Sequence, residues 1–184
     1  MRLLIKTILI ITSGLLLVSA SQAQERNQER VWQSPNAATA QTIGLTQIEV
    51  TYGRPAVRDR EIFSIDGLVP FGQVWRTGAN ESTAITFPDN VIIEGELLEA
   101  GVYSLYSVPG EKYWTIIFNE KLSWGTQYDE SADVLRVRVQ SKRAHFVEQM
   151  MIYFEDITPE TGTLVVHWDR VKVPVRIMPD MELN

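Results

Sequence analysis

The feature that most constrains the fold of this chain is an alternation of apolar and polar side chains with a period of two residues. Ile48, Val50 and Tyr52 alternate with Glu and Thr, and the pattern recurs over residues 135–139 and 171–177. Successive side chains of a β-strand point to opposite faces of the sheet. The alternation therefore indicates strands with one buried and one solvated face.

Turn-forming residues separate these runs from others that are apolar throughout. Examples are Pro-Asp-Asn at 88–90, Pro-Gly at 109–110 and Thr-Gly at 161–162. No segment keeps helical spacing over three turns, and the best helical candidate, residues 141–149, is short. The sequence predicts an all-β fold, a single antiparallel β-sandwich or open barrel of about nine short strands with little helix.

The first residues are typical of a secretory signal. Arg2 and Lys6 give positive charge before an apolar run over residues 7–18, and Ser21-Gln22-Ala23 supplies small residues for cleavage before Gln24. The apolar run is shorter than the ~20 residues that a helix needs to span a bilayer. We therefore predict a cleaved signal peptide over residues 1–23, no membrane span after cleavage, and export to the periplasm, cell surface or medium of a bacterium.

The rest of the chain shows no repeat, linker or low-complexity tract that would divide it. Residues 24–32 are mostly polar and are predicted to form a flexible leader. A single β domain is predicted over residues 33–179, followed by a tail over residues 180–184.

Composition excludes several classes of function. The chain has 23 acidic and 17 basic residues and a net charge of -6, which argues against nucleic acid as a partner. It has no cysteine, so disulfides, thiol nucleophiles and Cys-ligated zinc are excluded. With only two histidines, a three-His metal site is excluded too. We predict neither a metal nor another cofactor.

Two polar stretches carry the candidate binding site. In the first, closely spaced arginines follow a strand whose inward face includes Tyr52. In the second, residues 75–81, a Trp is followed by Arg, Thr, Asn and Glu around a bend. Guanidinium groups recognise carboxylates and other anions in a fixed geometry. The candidate ligand-binding residues are Tyr52, Arg54, Arg58, Trp75, Arg76, Thr77, Asn80 and Glu81.

Alternatives to a site exist for both stretches. The arginines are also expected where ion pairs with Asp59, Glu61 or Glu81 close the sandwich, since structural ion pairs resemble sites. Thr77 and Asn80 are also typical of residues that satisfy the backbone of their own turn. Among the tryptophans, Trp124 lies in a predicted loop and is the best candidate for an exposed aromatic ring.

The order of several motifs carries a family resemblance. They are Tyr-Gly-Arg-Pro at 52–55, the run from Gly67 through Glu81, Ala-Gly-Val-Tyr at 100–103 and Asp-Val-Leu-Arg-Val at 133–137. In this order the chain resembles the domain of unknown function 2911 family of exported bacterial proteins. The resemblance implies export and a single domain, and it implies no catalytic residue.

These observations predict an exported, non-catalytic binding or envelope-associated β domain. Its ligand is expected to be a small polar, anionic or glycan molecule, held by the Arg, Asn and Glu side chains. The alternative is a hydrolase acting on envelope glycans, with Glu81 as the acid or base and Asp59 or Glu61 as the second carboxylate.

Overall fold

The computed structural model describes residue 26, residues 29–124 and residues 126–180. Within these residues two antiparallel β-sheets pack as an open sandwich that does not close into a barrel. The all-β prediction is therefore confirmed, with ten strands in place of about nine. The predicted signal peptide, most of the predicted leader and residues 181–184 of the predicted tail lie outside the described residues.

The strands follow one another along the chain with one short 3₁₀ turn before the eighth. They are β1 (Asn36–Ile43), β2 (Thr46–Gly53), β3 (Thr83–Phe87), β4 (Val91–Ile93), β5 (Glu96–Leu98), β6 (Gly101–Val108), β7 (Tyr113–Asn119), β8 (Asp133–Gln140), β9 (Lys142–Glu155) and β10 (Gly162–Pro179). One sheet has the strand order β1-β2-β3-β6-β7-β8, and the other has the order β5-β4-β10-β9.

The alternating runs form the inner faces of these sheets. Ile48, Val50 and Tyr52 of β2 are buried, as are Val173 and Val175 of β10. Their side chains join one hydrophobic core that fills the space between the sheets. Each buried aliphatic side chain contributes ~1.5–3 kcal/mol through the hydrophobic effect. Among the described residues, no helix is long and apolar enough to cross a membrane.

Residues 141–149, the best helical candidate, form no helix. Residues 142–149 belong to β9, which pairs with β10 from Lys142↔Lys172 to Glu155↔Thr163. Pairing with β10 satisfies the backbone of this run, and that outweighs its weak helical spacing. The register shifts on either side of Asp169, whose φ is 54°, so β10 is one bulged strand that includes the predicted strand over residues 171–177.

Side chains from the first sheet cover the outer edge of β9. The Tyr52 hydroxyl accepts a hydrogen bond from the Ile152 amide at 2.9 Å and donates to the Ile152 carbonyl at 3.4 Å. Arg54 Nε donates to the Met150 carbonyl at 2.8 Å. These two side chains replace the neighbouring strand that an edge strand lacks, and they tie β2 to the second sheet.

Backbone groups just after β2 continue this contact. The Met150 amide donates to the Pro55 carbonyl at 2.9 Å, and the Val57 amide donates to the Glu148 carbonyl at 2.8 Å. Residues 52–57 are therefore held along β9 by both side-chain and backbone hydrogen bonds.

The Tyr52→Phe substitution tests the tie between the sheets. It removes the hydroxyl and leaves the buried Ile152 amide without a partner, so the free energy of unfolding should fall by ~1–3 kcal/mol. The matched control is Tyr113→Phe, because Tyr113 is exposed and its change should stay within ~0.5 kcal/mol. Urea unfolding measures both. Equal stability of the two variants would contradict the tie.

Candidate functional site

A cavity of about 310 Å³ opens where the segment after β2 meets residues 75–79. Three guanidinium-bearing residues, Arg58, Arg60 and Arg76, contribute to its wall together with the aromatic side chains of Trp75 and Trp168. Among the described residues no Asp or Glu lines it. The cavity thus presents concentrated positive charge in a protein whose net charge is -6.

Arg76 differs from the other two arginines of this cavity in the surroundings of its Nε. Its Nε is buried and has no hydrogen-bond partner within the described part of the chain. None of the ion pairs between described residues includes it. Burial lowers the pKa of Arg76 below its ordinary value, and the nearby Tyr106 acts in the opposite direction. Desolvation of this cation is therefore not balanced by a counter-charge.

The other two arginines bind backbone carbonyls. Arg58 donates from Nη2 to the Gln33 carbonyl at 3.2 Å. Arg60 donates from Nε to the Val57 carbonyl at 3.0 Å and from Nη2 to the Ala56 carbonyl. Neither guanidinium forms an ion pair with a carboxylate of the described residues. Their positions are fixed while their charges stay uncompensated.

Backbone strain lies beside these arginines. Arg58 has a φ of 50° and Thr77, directly after Arg76, has a φ of 48°. A β-branched residue rarely adopts the left-handed region, and such a conformation costs on the order of 1–3 kcal/mol. The bend expected at Gly78 and Asn80 is instead made by Thr77 and by Asn80, whose φ is 65°.

Trp75 provides an apolar wall. Its ring stacks on Trp168 with centroids 5.8 Å apart and planes at 23°, and its indole N–H donates to the Gly78 carbonyl at 3.1 Å. Reciprocal backbone hydrogen bonds of 2.8 Å with Ser107 of β6 hold it in place. The cavity therefore combines a rigid aromatic surface with guanidinium groups.

The structure gives Tyr52, Arg54 and Thr77 other roles. Tyr52 and Arg54 bind the edge of β9, as described above, and do not line the cavity. Thr77 is fully buried, with its hydroxyl donating to Ser107 Oγ at 2.9 Å and its carbonyl accepting from Thr83 Oγ1 at 2.8 Å. These groups satisfy the scaffold of the site and not a ligand.

Asn80 acts on the cavity indirectly. Its side-chain amide donates to the Ser34 carbonyl at 2.9 Å, and Ser34 lines the cavity next to Gln33. Asn80 therefore positions the segment before β1 as one wall.

Trp124, expected on the surface, is 48% exposed, and its ring centroid lies 5.7 Å from that of Trp32.

Glu81 forms an ion pair with Arg26, a residue of the segment that the sequence predicts to be a flexible leader. Arg26 Nη2 lies 3.3 Å from Glu81 Oε2, and both side chains are buried. The same guanidinium donates to the carbonyls of Ala79 and Ser82, each at 3.0 Å, and to Asn36 Oδ1 at 3.1 Å. Burial lowers the pKa of Arg26, Glu81 raises it, and Arg76 lowers it further.

The absence of a side chain at Gly53 leaves room for this ion pair. A Cβ at Gly53 would clash with the Ala79 carbonyl and would lie 3.1 Å from Arg26 Nη2.

Asp59 and Glu61, the other expected partners of the arginines, are exposed and form no ion pair with described residues. Of the expected ion-pair cluster, only the carboxylate of Glu81 is paired, and its partner is Arg26.

Sequence reasoning missed three contributors to this region. Arg60 and Trp168 line the cavity, although the apolar run around Trp168 indicates only a core residue. Arg26 gives no signal, because a single arginine in a polar segment looks like any solvated charge.

The two histidines lie together on the second sheet. Their ring centroids are 4.9 Å apart, and His167 Nε2 lies 3.0 Å from the His145 carbonyl oxygen. In the described ranges, no group of three or more His, Asp or Glu side chains is placed to hold a metal ion.

The Arg26→Ala substitution tests the ion pair. Removing Arg26 leaves the buried Glu81 carboxylate without this cation, so the free energy of unfolding should fall by ~3–5 kcal/mol. Arg30→Ala is the matched control, because Arg30 lies in the same segment but is exposed; it should change stability by no more than ~1 kcal/mol. Chemical denaturation of both variants decides the point. An Arg26→Ala variant as stable as the parent protein would show that the pair is not formed.

Comparison with known proteins assigns this chain to a family. The model of the family described as "Protein of unknown function (DUF2911)" matches residues 34–177, which include every sequence-predicted site residue. No curated protein and no solved structure matches the chain. The match confirms the resemblance carried by the order of the motifs: the chain belongs to the DUF2911 family of proteins of unknown function.

Proposed function

We propose that this chain is an exported, non-catalytic binding domain that takes a small anion-bearing ligand in the arginine-lined cavity. The observation that carries the proposal is the buried Nε of Arg76, which has no partner among the described residues. A ligand carboxylate or similar group would supply both the missing acceptor and the missing negative charge.

The energetics of Arg76 support a ligand. Burying the Nε of Arg76 without a hydrogen-bond acceptor costs ~1–3 kcal/mol, since the donor loses its hydration and gains no partner. A scaffold gains nothing from such a residue, because a neutral side chain of similar size would fill the space without that cost. A group that lowers stability in the free protein is typical of a binding site, where the cost is offset when the ligand arrives.

The shape of the cavity narrows the ligand class. About 310 Å³ lies at the small end of the range for small-molecule sites. Trp75, which is half-buried, gives the cavity an apolar wall beside the guanidinium groups, and its ring stacks on the buried Trp168. A sugar acid matches this combination, because its ring can stack on an indole while its carboxylate binds arginine.

The hydrolase alternative receives no support from the position of Glu81. Its carboxylate faces Arg26, its side chain is only 8% exposed, and it does not line the cavity. An acid or base must reach the bond that breaks, and two carboxylates ~5 to ~9 Å apart are needed in a glycosidase. Asp59 and Glu61 do not line the cavity either.

The proposal is tested with glucuronate as the probe and glucose as its uncharged counterpart. Isothermal titration should show binding of glucuronate, and Arg76→Gln should weaken it at least ~10-fold, since a charge-assisted hydrogen bond contributes ~1.5–3 kcal/mol. The control Arg176→Gln removes an exposed arginine that does not line the cavity and should leave the affinity unchanged. Equal affinity of the Arg76→Gln variant and the parent protein would refute the role of Arg76.

Stability of the same variant provides the second readout. Without ligand, Arg76→Gln should unfold at the same or a higher temperature than the parent protein, because it removes a buried donor that has no partner among the described residues. A loss of ~3–5 kcal/mol would instead identify Arg76 as part of a structural ion pair.

A further inference from the structure

A second basic region lies outside the arginine-lined cavity. Lys112, Lys142, Arg143 and Arg170 line a groove of about 350 Å³, which we call the basic groove. It shares no lining residue with the cavity of Arg76. The single acidic residue that lines it is Glu111.

The four cations of the basic groove have no ion-pair partner among the described residues. All four are exposed, and none takes part in an ion pair between residues that the structure describes. The protein as a whole carries more acidic than basic residues. Grouping of unpaired cations in such a chain creates a local positive potential that attracts an anionic partner.

Two exposed aromatic rings contact cations of the groove. Tyr113 is 40% exposed and lies under two cations, with Arg138 Cζ 4.1 Å and Lys112 Nζ 5.4 Å from its ring centroid. Phe146 is 44% exposed, with Arg170 Cζ 5.6 Å from its ring centroid. The surface therefore combines cations with exposed aromatic groups.

Protection of a sheet edge explains only part of this charge. β9 is the last strand of its sheet, and Lys142 and Arg143 would discourage pairing with another chain there. Arg170 instead lies at the bulge of β10, between Asp169 and Val171, and Lys112 belongs to neither strand of this edge but precedes β7 of the other sheet. Edge protection therefore does not account for the four cations together.

We propose that the basic groove and the two aromatic rings dock this protein on an anionic phospholipid bilayer. Lys and Arg side chains bind the phosphate groups of the lipids, and the attraction grows with each cation near the surface. Aromatic side chains favour the boundary between headgroups and acyl chains. A soluble polyanion would engage the cations alone and would leave Tyr113 and Phe146 without a role.

Vesicle sedimentation tests the docking. The protein should bind vesicles of phosphatidylcholine with 30% phosphatidylglycerol, as the chosen probe composition, at least ~10-fold more strongly than vesicles of phosphatidylcholine alone, and less at high salt. The double variants Lys142→Glu/Arg143→Glu and Lys112→Glu/Arg170→Glu should each lose this binding. The second pair contains no residue of β9, so it gives the answer if the first pair disturbs the sheet edge.

A matched control separates the surface from total charge. Arg30→Glu/Lys121→Glu makes the same change in net charge at exposed residues outside the groove, and it should bind the vesicles like the parent protein. The variant Tyr113→Ala/Phe146→Ala should bind the vesicles several-fold more weakly and soluble polyphosphate equally well.

Three outcomes would overturn the proposal. The first is equal binding to the two kinds of vesicle, and the second is unchanged binding by the Lys112→Glu/Arg170→Glu variant. The third is binding to polyphosphate without binding to vesicles, which would identify a soluble polyanion as the partner. None of these measurements involves the cavity of Arg76, so their failure is distinguishable from failure of the proposed binding function.

Discussion

The outer edge of β9 imposes the constraint on which the arrangement of the site depends. Its backbone groups must find partners, and the structure supplies them from Tyr52, Arg54 and the residues that follow β2. Because residues 52–57 are held there, the turn that follows lies at the cavity, and Arg58 and Arg60 of this turn line it. Hydrogen bonding within the scaffold thus determines where positive charge accumulates.

A second consequence follows from how charge is divided near the cavity. Arg26 and Glu81 compensate each other in a buried ion pair, so the carboxylate closest in sequence to Arg76 is already occupied. Arg76 therefore keeps an uncompensated charge beside a rigid aromatic wall. The ion pair occupies the carboxylate of Glu81, and in the proposed function the charge of Arg76 binds the ligand.

Local pattern was enough to predict the fold class and part of the site. Alternation in β2 and β10 predicts strands and their buried faces, because the side-chain period of a strand is fixed by its geometry. The same pattern cannot report long-range pairing, which is why residues 141–149 are the best helical candidate although most of them form β9, and why the sequence gives no sign of the ion pair of Arg26. Arg58, Trp75 and Arg76 were predicted for the site and line the cavity, whereas Tyr52 and Arg54 serve the sheet edge. Residue type shows that a guanidinium needs a partner, but only the fold decides which partner it has.

The most direct measurement of the central claim is an NMR titration of the arginine Nε–Hε groups with glucuronate. The account predicts that the Arg76 signal shifts progressively with ligand while the signal of Arg26, already bonded within the scaffold, stays in place. An Arg76 signal that does not move at saturating glucuronate, or that moves no more than that of the exposed Arg176, would contradict it.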